Sequence, residues 1–152
     1  MEVSKNGSSV GKMVFQLYAN HSPALAANFA AFCNGEASNQ FVGSSFAKGF
    51  AGLGVQAGSL SCENFGAQDA RAADENLELR HSKRGMLTMV NDGPNSNGSE
   101  FMVTFQEASM LDGYNNLVGE LVEGDYVLSQ IEADCGRDGT VKADYKISAV
   151  GV

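Results

Sequence analysis

The first eighteen residues carry the pattern of paired β-strands. From Met13 to Tyr18 the sequence has the two-residue periodicity of a strand. It is preceded by Asn6-Gly7, a dipeptide that readily adopts the left-handed backbone required by tight hairpin turns. We therefore predict that residues 1–18 form two paired strands joined near this dipeptide.

Two later segments have the spacing of helices. In residues 23–34, apolar side chains recur every three or four positions, at Leu25, Phe29 and Phe32. Ser22 is a suitable N-cap, Pro23 fits the first helical position, and Gly35 follows the segment as a helix terminator. Residues 125–133 carry an apolar stripe of the same kind, at Val127, Leu128 and Ile131. We predict one helix in each segment.

Short apolar segments separated by glycine lie between and after these helices. They span residues 53–56, 85–90, 100–105, 117–122 and 145–150. Two helices are too few to cover both faces of a parallel sheet. We therefore expect a single, mainly β domain over residues 1–152. Its predicted architecture is a closed, eight-stranded antiparallel β-barrel capped by two α-helices.

The composition supports a β-rich domain and argues against nucleic acid and membranes as partners. The chain has 152 residues, 18 glycines and two prolines, which favours many tight turns. Its formal net charge of −8 repels phosphate backbones, so we expect no binding to nucleic acid. No segment has the length and hydrophobicity of a membrane span or the pattern of a signal peptide. We expect a cytoplasmic monomer that does not associate with membranes.

No motif for a disulfide, a metal or a nucleotide is present. The three cysteines are Cys33, Cys62 and Cys135. Their odd number and wide spacing favour reduced thiols. His21 and His81 lack neighbouring ligands at zinc-site spacing. The glycine-rich stretch 52–57 lacks the third glycine of a dinucleotide loop, and the oxygen-rich stretch 92–100 does not fit an EF-hand loop. We predict no cofactor and no metal site.

The most specific motif lies between two apolar segments. It reads Gly93-Pro94-Asn95-Ser96-Asn97-Gly98-Ser99, with Phe101 two residues later. A hairpin with a long polar turn would also be rich in these residue types, but this order is much rarer than a generic turn. It is similar to the signature of the cyclophilins. Further matches follow in register at residues 45–50, 56–58, 111–113 and 118–119. The resemblance therefore covers nearly the whole chain.

The resemblance implies a peptidyl-prolyl cis-trans isomerase that acts on X–Pro bonds in peptides and proteins. Rotation about this bond faces a barrier of about 18–20 kcal/mol. An isomerase lowers it by holding the proline in an apolar pocket and placing a donor near the prolyl nitrogen. The implied catalytic residues are Lys48, at the position of the family's arginine, and Gln56. The implied substrate-binding residues are Phe46, Leu53, Val90, Asn91, Asp92, Glu100, Phe101, Met102, Met110, Leu111 and Asn115.

Several of these positions depart from the family pattern. The lysine at position 48 keeps the arginine's charge but loses its planar fork of donors. Leu53 and Met102 replace phenylalanines, and Asn115 replaces a histidine. Met110 replaces the aromatic residue that helps to bind cyclosporin. We therefore expect reduced activity and weak cyclosporin binding, with proline-containing peptides or proteins as partners.

Glu100 occupies the position of a family glutamine and leaves two interpretations open. In the first, its carboxylate pairs with Lys48 and holds the cation away from substrate. In the second, the carboxylate is solvated and has no effect on activity.

Two other functions also remain open. The departures from the family pattern are concentrated in the implied substrate-binding groove. The turns and the core still resemble those of the family. This distribution also fits a non-catalytic module that docks proline-containing partners. A third possibility is a small barrel that binds an apolar ligand in its interior, which is disfavoured by the many large apolar residues available to fill it.

Overall fold

The computed structural model describes residues 1–35, 40–60 and 71–152. Its strands are β1 (Glu2–Lys5), β2 (Ser8–Lys12), β3 (Val14–Leu17), β4 (Lys48–Phe50), β5 (Gly54–Ala57), β6 (Met86–Met89), β7 (Phe101–Thr104), β8 (Leu117–Glu123) and β9 (Tyr145–Ala149). Its helices are α1 (Pro23–Asn34) and α2 (Asp125–Ala133), with a 3-10 turn at Ser109–Leu111.

The strands form two antiparallel sheets. One has the order β2-β1-β9, and the other has the order β3-β8-β6-β7-β5-β4. The predicted mainly β fold with two helices is confirmed. The strand pairing does not show the predicted single closed barrel of eight strands. The described ranges instead contain nine strands, divided between two sheets.

The chain passes from one sheet to the other at Met13, which explains the additional strand. Met13 still pairs with Met1, to whose carbonyl its N–H donates at 2.9 Å. Its neighbour Val14 instead lies opposite Glu123 of β8. The second strand predicted in residues 1–18 is therefore split into β2 and β3. The predicted hairpin turn at Asn6-Gly7 is confirmed, and both residues have positive φ, at 51° and 86°.

At their other edges the two sheets meet through an irregular segment. The N–H of Gly43 donates to the Ile147 carbonyl at 2.8 Å, and the N–H of Phe46 donates to the Tyr145 carbonyl at 2.9 Å. Both acceptors belong to β9, and the segment leads directly into β4. The contact is a short bridge rather than a regular ladder.

Helix α1 has the predicted bounds and Ser22 at its N-cap position, but the Ser22 side chain does not cap the helix. The Ser22 hydroxyl donates to the carbonyl of Leu117 at 3.4 Å and makes no capping bond to the helix. The cap is supplied from a distant part of the chain. The Glu75 carboxylate accepts the N–H groups of Ala24 at 2.9 Å and Leu25 at 2.8 Å. A carboxylate here also interacts favourably with the positive end of the helix dipole.

An aromatic cluster packs α1 against the larger sheet. Phe29 of α1 lies 5.0 Å from Phe41 and 5.2 Å from Phe101, measured between ring centroids. Phe32 adds a further contact with Phe41 at 5.2 Å. Helix α2, whose predicted bounds are confirmed, buries Val127, Leu128 and Ile131. The core therefore lies between the sheets and both helices.

Two cysteines can be described. Cys33 and Cys135 are free thiols, and burial raises the pKa of each to about 11. Cys33 packs against the core, as expected for an apolar helix face. Cys62 lies outside the described residues. Among the helices in the described ranges, none is long and apolar enough to cross a bilayer.

Replacing Glu75 by alanine should lower the free energy of unfolding by about 1 kcal/mol, because two N–H groups at the start of α1 lose their acceptor. Urea denaturation followed by circular dichroism measures this change. Glu78→Ala is the matched control, since Glu78 is exposed on the same segment and its side chain contacts no charged or polar group among the described residues. Equal losses in the two variants would contradict the capping role.

Candidate active site

Three neighbouring strands bring Lys48, Gln56 and Met102 into one row. Lys48 lies directly opposite Gln56 in the β4–β5 pair, and Gln56 lies opposite Met102 in the β5–β7 pair. Directly opposed residues of antiparallel strands place their side chains on the same face, about 4.5–5.5 Å apart. The two predicted catalytic residues are thus adjacent, and an apolar side chain lies next to them.

Lys48 is an exposed side chain on a well-anchored strand. The N–H of the following residue, Gly49, donates to the Gly139 carbonyl at 3.2 Å, and the N–H of Ala51 donates to the Gly136 carbonyl at 3.0 Å. These bonds fix β4 against the loop that follows α2. With respect to the residues that the structure describes, the ammonium group of Lys48 forms no ion pair. The charge is therefore available to a ligand.

The pairing of Glu100 with Lys48 is not formed. Glu100 is half-buried, and no Lys, Arg or His of the described ranges lies within ion-pair distance of its carboxylate. The N–H of Val90 donates to the Glu100 carbonyl at 2.9 Å, which extends the β6–β7 ladder by one step. Glu100 therefore lies beside Val90, one step further along the face that carries Met102.

The Met102 side chain lies across Gly54 of the neighbouring strand β5 instead of pointing away from the sheet. A Cβ atom added at Gly54 would lie 2.9 Å from the Met102 Cγ and 3.0 Å from its Sδ. The methionine consequently fills the space that glycine leaves and is only 5% exposed. Leu53, the residue before this glycine, is half-buried and donates its N–H to the Phe50 carbonyl at 2.9 Å. Met102 therefore forms a low apolar floor.

We call the surface around Lys48, Gln56 and Met102 the groove. Two asparagines brace it from the side of β6. The Asn91 Nδ2 donates to the Tyr114 carbonyl at 2.8 Å, and the Asn115 Nδ2 donates to the Met89 carbonyl at 3.0 Å. Each cross-link ties the end of β6 to the loop before β8. The side chain of Asn91 is thus engaged, whereas its main-chain N–H and C=O have no hydrogen-bond partner among the described residues.

A buried histidine anchors the loop that carries Met110 and Leu111. The His81 ring is fully buried, with Nδ1 2.8 Å from Asp112 Oδ1 and Nε2 2.9 Å from Thr88 Oγ1. The His81 N–H donates to the same Asp112 oxygen at 2.7 Å. Thr88 lies opposite Met102 in the β6–β7 pair. The histidine therefore joins this loop to the strand beside the groove floor.

The whole of this chain matches a family model. The model describes the cyclophilin type peptidyl-prolyl cis-trans isomerase/CLD family and aligns with residues 1–152. The chain belongs to the cyclophilin family. This finding agrees with the signature at residues 93–101, which forms the turn between β6 and β7.

The other predicted site residues of this cyclophilin differ in exposure. Phe46 and Phe101 are 2% and 0% exposed and belong to the core. Their direct contact with a ligand stays a prediction. Met110 is 63% exposed, whereas Leu111 is half-buried. Asp92 is exposed and forms an ion pair with Arg71 at 3.0 Å.

Sequence reasoning missed Arg71, Thr88 and the role of His81. The sequence marks His81 only as a candidate metal ligand, because its partners lie seven and 31 residues away along the chain. No local pattern marks such contacts. In the described part of this cyclophilin, no group of three or more His, Cys, Asp or Glu side chains is arranged to hold a metal ion.

Because of the His81–Asp112 contact, part of the free energy of unfolding should depend on pH in the acidic range. Hydrogen bonds from the main chain and ring of His81 hold the pKa of Asp112 below its ordinary value of 3.8. A lowered pKa means that the stabilisation is fully present well above the ordinary pKa of 3.8 and is lost as the pH falls through the lowered pKa. Asp112→Asn should therefore lower the free energy of unfolding by about 1–2 kcal/mol at pH 7. The deficit should shrink at pH 3.

Urea denaturation at both pH values measures this difference. Glu107→Gln is the control. Glu107 is exposed, and its carboxylate forms no hydrogen bond or ion pair with the described residues. A deficit of the same size at pH 7 and pH 3 would show that the charge of Asp112 is not what stabilises the loop.

Proposed function

We propose that this cyclophilin is a peptidyl-prolyl cis-trans isomerase that uses Lys48 in place of an arginine. The observation that supports the proposal is the row of Lys48, Gln56 and Met102 across three adjacent strands. It combines an unpaired cation, an amide and an apolar surface within about 10 Å. These are the groups that isomerisation of an X–Pro bond requires.

The proposed chemistry involves no covalent intermediate. In the planar amide, the lone pair of the prolyl nitrogen is delocalised into the carbonyl group. In the twisted transition state this lone pair is localised on nitrogen and can accept a hydrogen bond. An ammonium group beside the nitrogen stabilises the twisted state more than the planar one, which lowers the barrier. In this proposal Lys48 donates to the nitrogen, and Gln56 orients the peptide.

The proline and the adjoining peptide are proposed to lie over the apolar floor. Met102, with Leu53 beside it, provides the surface for the ring. The main-chain N–H and C=O of Asn91 have no partner among the described residues and suit an extended peptide, which pairs through its own main chain. The cross-links made by Asn91 and Asn115 hold this edge in place before a peptide binds.

The proposed activity is lower than that of a cyclophilin with arginine and phenylalanines at these positions. An ammonium group is a compact donor without the fixed fork of a guanidinium, so less of its charge is held in one orientation. A methionine is flexible and defines a pocket less sharply than an aromatic ring. Weak cyclosporin binding follows from the same reasoning, because Met110 offers no aromatic surface.

A non-catalytic docking module is the second candidate. The contacts that hold the groove, from Asn91, Asn115 and His81, do not involve Lys48. A groove of this construction could therefore bind a proline-containing partner even if Lys48 contributes nothing to catalysis.

Exchange NMR on a short Ala-Pro-Phe peptide tests between these two functions. The wild-type protein should accelerate cis-trans exchange, and Lys48→Ala should reduce kcat/KM about 100-fold, since one donor to the transition state is lost. Lys48→Arg should be at least as active as the wild type, because a guanidinium supplies the charge together with a fixed fork of donors.

Lys12→Ala is the control, because Lys12 is an exposed lysine on β2 in the other sheet. It should leave exchange unchanged. A wild-type protein that binds the peptide without accelerating exchange, and gains nothing from Lys48→Arg, would identify the groove as a docking surface and contradict catalysis.

A further inference from the structure

Glu100 is an unpaired carboxylate in the groove. The ten Lys and Arg residues and both histidines of the chain all lie within the described ranges. None of them lies within ion-pair distance of Glu100. The carboxylate is also half-buried, so it is less well solvated than a fully exposed one. Its charge is therefore not balanced by any cation of the chain.

The other described carboxylates of this region already have partners. Asp92 pairs with Arg71 at 3.0 Å, and Asp112 pairs with the His81 ring at 2.8 Å. Arg71 is further engaged with the Ser96 carbonyl at 3.1 Å, so it is held on the Asp92 side of the turn. The Asp74 carboxylate accepts hydrogen bonds from Asn95, Asn97 and Asn116. Among these described carboxylates, Glu100 is thus the one without an ion-pair or hydrogen-bond partner, and it is the one available to a cationic ligand.

The position of Glu100 relative to the apolar floor sets where that cation would have to be. Strand residues alternate between faces, and Phe101 faces the core against Phe29 and Phe41. Glu100 and Met102 therefore share the outer face and are separated by about 7 Å along the strand. An extended peptide covers the same distance in two residues.

We propose that Glu100 makes this groove selective for peptides that carry a lysine or arginine two residues from the proline. The inference rests on the proposed placement of the proline over Met102. A cationic side chain at that distance reaches the carboxylate and forms the ion pair that the protein itself does not supply. The chain's net charge of −8 adds a general attraction for basic peptides.

The test compares peptides that differ only in one residue near the proline. Lysine, norleucine and glutamate are placed in turn at each of the two positions before and the two positions after the proline. Kd is measured by NMR titration, and kcat/KM is measured by exchange NMR, for the wild type, Glu100→Gln and Glu123→Gln. Glu123 is the matched control because it is exposed at the far end of β8, away from Val90 and Glu100.

Lysine two residues from the proline, on one side of it, should bind about three- to tenfold more tightly than norleucine, and glutamate more weakly. Glu100→Gln should reduce the preference to less than about twofold, and Glu123→Gln should retain it. Added salt at about 0.5 M should also reduce it, because the interaction is electrostatic.

The inference is overturned if lysine gives no preference in Kd at any position, if no peptide binds, or if Glu100→Gln keeps the preference. A lysine preference in Kd without accelerated exchange supports the inference and contradicts the proposed catalysis. Accelerated exchange of the Ala-Pro-Phe peptide, without a lysine preference in Kd, supports the proposed catalysis and contradicts the inference.

Discussion

The core and the groove both depend on strand β7, because its residues alternate between the two faces of the larger sheet. Phe101 faces inward and lies 5.2 Å from each of the rings of Phe29 and Phe41. Met102 and Glu100 consequently face outward. A shift of register by one residue would exchange these faces, which would bury a carboxylate and expose an aromatic ring. The aromatic packing in the core thus determines which chemical groups the groove presents.

The loop that carries Met110 and Leu111 depends on the buried side chain of His81. The fully buried His81 ring hydrogen-bonds Thr88 on β6 and the partly exposed carboxylate of Asp112, next to Leu111. Buried polar groups stabilise a structure when they are fully hydrogen-bonded and destabilise it when one partner is lost. The sheet that forms the groove floor therefore also positions this loop.

The elements that could be predicted from the sequence are those encoded by neighbouring residues. The turn at Asn6-Gly7, the bounds of α2 and the hairpin around the 93–101 signature each depend on a few consecutive positions. The capping of α1 by Glu75 and the passage between sheets at Met13 could not be predicted in this way. Both involve residues far apart in the chain, and no local pattern encodes such pairs.

The candidate site follows the same division. The family matches at residues 45–50 and 56–58 place Lys48 and Gln56 at motif positions, and their adjacency follows from strand pairing. Whether Glu100 pairs with Lys48 depends instead on the relative positions of β4 and β7, which a sequence does not specify. Asp92 is a similar case, because its partner Arg71 lies in a segment without any motif.

The geometry of the sheet explains why the two unpaired charges of the groove can act separately. Lys48 is two strand spacings from Met102, about 10 Å, and Glu100 is about 7 Å from Met102 along β7. The two backbone positions are therefore about 12 Å apart. No ion pair joins the two side chains, so neither charge neutralises the other. A peptide that lies over Met102 meets a cation on one side and an anion on the other. Under the proposed function, Lys48 governs the rate of isomerisation and Glu100 governs the choice of peptide. A substitution at one of these residues should then leave the property governed by the other unchanged.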